Sequence, residues 1–211
     1  MAAPKNFPLY RITHIENIRF IAKVKKLTCP TNKANDKNYI GIGDSSLIKN
    51  RGSKKIELDP FGTFLDYISF YFGPRSPMLY EIEKGYNGVQ SRPMEDIVYL
   101  VTDFEQIKKA KVQYVFFDGH GYHGFSTCYN QEKHLNEVPW NDVNAKYWLD
   151  TEEDPDKKRR KQAELLVYDE LSIEAVTKIG VYNNAARERV MAELKKAKLD
   201  IQVQIFREGY Y

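Results

Sequence analysis

Apolar residues fall into short runs separated by polar, charged or glycine-rich stretches, the pattern of brief strands and helices wrapped around a core. The runs at residues 96–102 (DIVYLVT), 113–117 (QYVFF) and 163–168 (AELLVY) predict buried strands. Residues 178–182 predict another short strand, and IQVQI at 201–205 alternates with the strand period of two. LYRI at 9–12 predicts a strand too, and Thr13 with Glu16 matches a capping box, so a helix is expected from there to about Leu27, with Ile15, Ile18, Ile21 and Ala22 on one face. Further helices are expected at residues 140–148, at 184–198 with Val190, Met191 and Leu194, and between the first two buried strands, where Asp103 can cap.

Three polar stretches interrupt this pattern. Residues 31–55 are rich in Asn, Asp, Gly, Ser and Lys, with Ile40, Ile42, Leu47 and Ile48 as the plausible anchors, and read as a long functional loop or a disordered stretch. DGHGYHG at 118–124 has three glycines in seven residues, which predicts a loop whose amides approach whatever lies beside it. Residues 150–161 turn from acidic to basic with almost nothing apolar, and an exposed loop is expected. There is no regular alternation of strand and helix and no internal repeat, so the expected class is α+β with a mainly antiparallel sheet.

Between these lies DYISFYFGPRSPMLY at 66–80, an aromatic run broken at Gly73-Pro74 and again at Pro77. β-favouring rings followed by backbone-restricting residues predict a strand end and two rigid turns, which frame Arg75, Ser76 and Met78 beside an aromatic wall. Such a wall either plugs a core or forms a pocket on which a flat ring stacks, with a fixed guanidinium for an anion.

Composition narrows the setting. At 211 residues a single domain is expected, and 15 tyrosines with 13 % aromatics make the chain rich in stacking groups. A formal charge of +3 is too small to identify a nucleic-acid binder without knowing where the charges sit. No apolar run approaches the ~18 residues of a membrane span, the first residues lack the apolar core of a signal peptide, and Cys29 and Cys128 cannot make a disulfide framework. A cytoplasmic protein without membrane contact is expected.

For chemistry, His120, His123 and Cys128 lack a fourth ligand at sensible spacing, so no metal is expected. Neither cysteine carries the mark of an activated nucleophile. Gly41 and Gly43 lack the third glycine and the strand-turn-helix context of a dinucleotide fingerprint. KKRRK at 157–161 reads as a solvated face or a phosphate-binding run. Glu164 opens an apolar strand on the face of Leu166, where a carboxylate needs a partner or a task, either an ion pair or a cation-stabilising position at a cleft.

Four stretches together, LYRITHIEN at 9–17, FYFGPRSPMLY at 70–80, QAELLV at 162–167 and GYY at 209–211, make the chain resemble the DarT family of DNA ADP-ribosyltransferase toxins, in its thymidine-modifying branch. The resemblance implies a PARP-like ADP-ribosyltransferase fold with a split, mainly antiparallel sheet and peripheral helices. It implies transfer of ADP-ribose from NAD+ to a base of single-stranded DNA, thymine N3 in that branch, with release of nicotinamide. A macrodomain antitoxin of the DarG kind is the implied partner, and a monomer the expected state. Carried over by position, Arg51 and Glu164 are the catalytic pair, and Arg11, Ile12, Thr13, His14, Phe20, Thr28 and Arg51 line NAD+. Tyr71, Arg75, Met78, Arg92, His120, Lys157, Lys158, Arg159 and Arg160 are the residues expected to meet DNA. Where the family usually has histidine after the first tyrosine this chain has Arg11, which can hydrogen-bond a ribose or a phosphate.

The implied role of Glu164 is to stabilise the oxocarbenium-like ribose, as a second carboxylate does in glycoside cleavage. The family account gives Arg51 the departing proton, but a guanidinium with pKa above ~12 is a poor base. An electrostatic clamp on the base or the pyrophosphate suits it better. Guanine, RNA or protein as acceptors, and a non-enzymatic single-strand binder that leaves Glu164 without a task, are the alternatives.

Overall fold

The apolar run at residues 96–102 becomes β4 (Ile97–Asp103), buried from Ile97 to Thr102 in the computed structural model, which describes residues 3–211. It pairs antiparallel with β1 (Pro8–His14) along that strand's whole length and with β9 (Lys178–Val181) on its other side. β9 carries β10 (Gln202–Ile205) in parallel. Beyond β1 lie β3 (Tyr67–Tyr71), β7 (Glu164–Tyr168), β5 (Tyr114–Phe117) and β6 (Cys128–Tyr129), giving one sheet of eight strands in the order β10-β9-β4-β1-β3-β7-β5-β6. β2 (Lys26–Thr28) and β8 (Glu170–Ser172) form a separate antiparallel ribbon. The class is α+β with a mainly antiparallel sheet.

The sheet is split. β1 and β3 share one register pair, Tyr10 opposite Tyr71, whereas β3 follows β7 along its whole length. Past that pair the two strands diverge, and Arg11 Nη1 crosses the gap to the Ser69 carbonyl at 3.1 Å. One face of the sheet is covered continuously by α1 (Asn17–Val24) and α7 (Asn184–Ala197), whose Ile18, Ile21, Val190 and Leu194 join Leu9, Phe70, Leu100 and Leu165 in a single core. The opposite face carries two separate clusters. Tyr99, Val101, Leu79, Phe206 and Tyr210 lie on one side of the split, and Phe64, Val115, Phe117 and Leu166 on the other.

Several sequence expectations are met and several are corrected. Asp103 caps α4 (Phe104–Ala110) by accepting from Gln106 N–H. The proposed capping box at Thr13 and Glu16 does not form: pairing with β4 continues through His14 and carries Thr13 into the sheet, where its hydroxyl meets the Asn17 amide at 2.9 Å and the Tyr39 hydroxyl at 3.1 Å. α1 therefore starts at Asn17, and it ends at Val24 because Lys25 turns left-handed and Leu27 enters β2 opposite Leu171. The polar stretch 31–55 contains α2 (Ser45–Gly52), capped by Asp44, whose carboxylate accepts from Ser46 and Leu47 N–H. After the aromatic run, the turn at Arg75 leads into α3 (Pro77–Lys84), with Ser76 as N-cap and proline at its first position. Helix in residues 140–148 is confined to α5 (Trp140–Val143), and the expected exposed loop at 150–161 ends instead in α6 (Lys157–Lys161).

Candidate active site

Glu164 is the first residue of β7, between Tyr71 of β3 and Phe117 of β5, and is fully buried on the face it shares with Leu166. A buried carboxylate requires donors, and three contacts supply them. Arg51 Nη2 lies 2.8 Å from Oε1 and 2.9 Å from Oε2, and Gly121 N–H donates to Oε1 at 2.9 Å. The glycine is required by this approach: a Cβ there would press on Glu164 Oε1 and on the Phe64 ring. Gly121 belongs to the glycine-rich loop, so the sequence expectation that this loop brings amides close to a neighbour is met at one atom.

Arg51 comes from the last turn of α2, with its guanidinium over the Phe64 ring, 4.6 Å from the centroid. Burial works against its charge, but the Glu164 carboxylate outweighs burial and holds the guanidinium above its ordinary value. His120 Nε2 stands 3.4 Å from Arg51 Nη1. Burial, opposed by Glu164 and reinforced by Arg51, pulls His120 down to about 4, so the ring is neutral at pH 7. Tyr71 is pushed up to about 12 by burial and the nearby carboxylate, which keeps its hydroxyl protonated. Lys54 donates to the Gly121 carbonyl at 2.8 Å and ties the end of the α2 segment to the same loop.

A cleft of about 430 Å³ opens at the split, with Arg11 and Ile12 of β1 on one wall, Tyr67, Ser69 and Tyr71 of β3 on the other, and Tyr39, Ile42, Leu47 and Arg51 of the 31–55 segment across its mouth. Consecutive residues Arg11 and Ile12 both reach it because a strand without its neighbour exposes an edge as well as a face. The cleft has flat rings, aliphatic side chains and two guanidiniums, a set suited to a dinucleotide with a pyrophosphate.

The structure gathers some of the sequence-derived site residues and separates others. Arg11, Ile12, Thr28, Arg51, Tyr71 and Met78 line the cleft. Thr13 is buried behind it, holding Tyr39 through its hydroxyl. His14 is buried with its Nδ1 accepting from Glu16 N–H, and half-buried Phe20 sits on α1; neither borders the cleft. Arg75, in a left-handed conformation at φ 56°, stacks over the Tyr211 ring, and its buried Nε has no hydrogen-bond partner. Arg92 reaches the Gly41 carbonyl at 3.4 Å.

The basic run is mostly occupied. Arg159 binds Asp156 and Asp118, Arg160 binds Asp142, Asp154 and Asp156, and Lys158 sits 3.6 Å from Glu81. Lys161 is buried and donates to the carbonyls of Pro74, Val143 and Ala145, between 2.7 and 2.9 Å. Burial, with Arg75 adding, lowers it to about 8. A Cβ on Gly73 would overlap the Val143 carbonyl, so the glycine lets this segment close onto Lys161. Sequence reasoning missed Lys54, Phe64 and Tyr39 as parts of the site; only the aromatic character of two of them offered a signal. Among the described residues no group of three His, Cys, Asp or Glu side chains converges as a metal site, and no helix is long and apolar enough to cross a membrane.

Comparison with known proteins supplies an independent line. The sequence profile described as ssDNA thymidine ADP-ribosyltransferase, DarT, matches residues 10–211. A DNA ADP-ribosyl transferase of Escherichia coli O127:H6 is 32 % identical over 208 residues, 99 % of this chain and 94 % of that one. Thermus sp. 2.9 DarT in complex with ADP-ribosylated ssDNA superposes with a TM-score of 0.92 at 31 % identity, covering 100 % of this chain and 99 % of that one. The same protein in complex with NAD+ gives 0.85 at 32 % identity, with both chains fully covered.

Proposed function

We propose, for a chain that belongs to the DarT family and is an NAD+-dependent DNA ADP-ribosyltransferase, that it transfers ADP-ribose to thymine N3 in single-stranded DNA, in a sequence-dependent way, as one domain acting as a monomeric toxin in the cytoplasm. A macrodomain antitoxin that removes the modification is the proposed partner. The observation that carries the reading is Glu164, buried at the head of β7 beside the cleft and held by Arg51 and Gly121. The family's description as a thymidine-modifying one supports the base, and the Thermus complexes with NAD+ and with ADP-ribosylated ssDNA support the two substrates.

Breaking the bond between nicotinamide and ribose leaves positive charge on the ribose, and a carboxylate hydrogen-bonded to the 2′-hydroxyl stabilises that charge where it develops. Glu164 does this once Arg51 releases at least one of its two oxygens, while Gly121 N–H keeps Oε1 oriented. The freed guanidinium then faces the incoming base or the pyrophosphate. As a cation that does not deprotonate it clamps and does not accept the proton. Arg11 and Ile12 from β1 and Thr28 form the cofactor side of the cleft, and Tyr71 and Met78 the side for the base. Arg75, whose buried Nε is unpartnered, and Lys157 and Lys158 on α6 are the cations proposed to meet phosphate, with Arg159 and Arg160 holding their loop.

The test is incubation with NAD+ and short oligonucleotides of each base composition, read by mass spectrometry. An ADP-ribose adduct on thymine of single-stranded DNA, absent from duplex, is expected. An adduct on guanine only, on RNA only or on the protein only overturns the reading.

A further inference from the structure

The Glu164 ion pair explains how bond breaking is helped and leaves the acceptor's proton without a destination. When N3 of thymine gives an electron pair to the ribose C1″, the bond from C1″ to nicotinamide breaks with its pair going to the pyridinium, and the N3–H proton must leave. Glu164 is committed to the ribose and to Gly121 N–H. Arg51 has no basic lone pair, Lys54 donates to the Gly121 carbonyl, and the Tyr71 hydroxyl is a donor at neutral pH.

We infer that His120 is a further catalytic residue, the general base whose Nε2 takes the N3 proton and passes it to water; this rests on the thymine reading above. Its placement is built from backbone contacts that do not depend on the ring. His120 N–H donates to the Arg159 carbonyl at 2.9 Å, and its carbonyl accepts from the Ser126 hydroxyl and from His123 N–H, both at 2.8 Å. The ring's Nε2 lies 3.4 Å from Arg51 Nη1, where a guanidinium can only donate, so Nε2 holds the lone pair and Nδ1 the proton.

The groups facing the ring are Glu164 from β7, Arg51 from α2, Lys54 just beyond α2 and His123 from its own loop. Burial, reinforced by Arg51, His123 and Lys54 and opposed by Glu164, keeps the imidazole neutral, so Nε2 keeps its lone pair throughout the neutral range and accepts the proton once Arg51 turns to the base. A weak base suffices here. As N3 bonds to C1″ its attached hydrogen becomes far more acidic than in free thymine, and the base is needed only late in the step.

The experiment compares the parent with His120→Asn and His120→Gln on oligonucleotides carrying thymine or its 5-trifluoromethyl analogue, whose N3–H is more acidic, with NAD+ affinity measured for each protein. Both variants should bind NAD+ as the parent does and transfer about a hundredfold more slowly to thymine at pH 7. They should recover most of that loss on the analogue, and their rate on thymine should climb with pH where the parent's is level. Equal losses on both bases with an unchanged pH profile, or full activity on thymine, overturn the inference. If neither variant binds NAD+, the parent decides: its transfer should fall below about pH 5 more steeply for thymine than for the analogue, and coincident profiles overturn the role. A parent that modifies no thymine at all refutes the thymine reading instead, a result that a failed His120 assignment does not produce.

Discussion

Two short basic helices touch the glycine-rich loop beside Glu164, and they use their charges in opposite ways. α2 buries none of its residues, and its Arg51 reaches inward to a single carboxylate. α6 is basic at every position, yet Arg159 and Arg160 are tied to four aspartates and Lys161 to three carbonyls. A cation with one counter-ion can exchange it for a substrate at modest cost, whereas a cation with several partners is part of the scaffold. Charge in the sequence does not separate the two cases; the number of partners in the fold does.

The sharpest way to break this comparison is to remove the one counter-ion on the α2 side. Glu164→Ala should lower kcat about a thousandfold, on the order of 4 kcal/mol of transition-state stabilisation, while NAD+ affinity by calorimetry changes little. Near-normal turnover would mean the pair is only structural. On the α6 side the matching change is Lys161→Met, which leaves three carbonyls without their donor and should cost about 3 kcal/mol in urea unfolding. A variant as stable as the parent would show that Lys161 is not a scaffold residue.

A smaller effect is expected from Arg51→Lys, which keeps the charge and loses the planar fork: about tenfold to a hundredfold in turnover, with the unfolding midpoint nearly unchanged. Equal activity would reduce the role of Arg51 to charge alone. The smallest effect belongs to Lys157→Gln with Lys158→Gln. These two cations are the least committed of their run, so the pair should lower the slope of log affinity for DNA against log salt by at most about two and leave base choice intact. An unchanged slope in a filter-binding titration would move the DNA path away from α6.

Legibility in the sequence followed the same division. Strands buried on both faces and the Asp103 cap depend on neighbours along the chain and were readable, as was the face of Glu164, which follows from the two-residue period shared with Leu166. What depends on distant partners was not. Thr13 looks like a cap until the pairing of β1 with β4 extends past it, and Lys161 looks like the last of five solvated cations until Gly73 admits the Val143 carbonyl beside it. The glycine-rich loop announced available amides, but not that one of them would meet Glu164. The split between β1 and β3 leaves no compositional trace, because it is a missing set of hydrogen bonds and not a residue type.

That split has a consequence for drift. Beyond Tyr10 and Tyr71 the facing edges of β1 and β3 do not pair with each other, so part of what the cleft offers a ligand is main chain, and amides and carbonyls are the same whatever residue carries them. Single substitutions can erase Arg51 or Glu164, but none except proline can delete a backbone donor from the cleft walls. Variants selected to escape a competitor of NAD+ should therefore accumulate in the side chains of the 31–55 segment and spare the strand edges, and an inhibitor that bonds to those edges would leave the fewest routes to resistance.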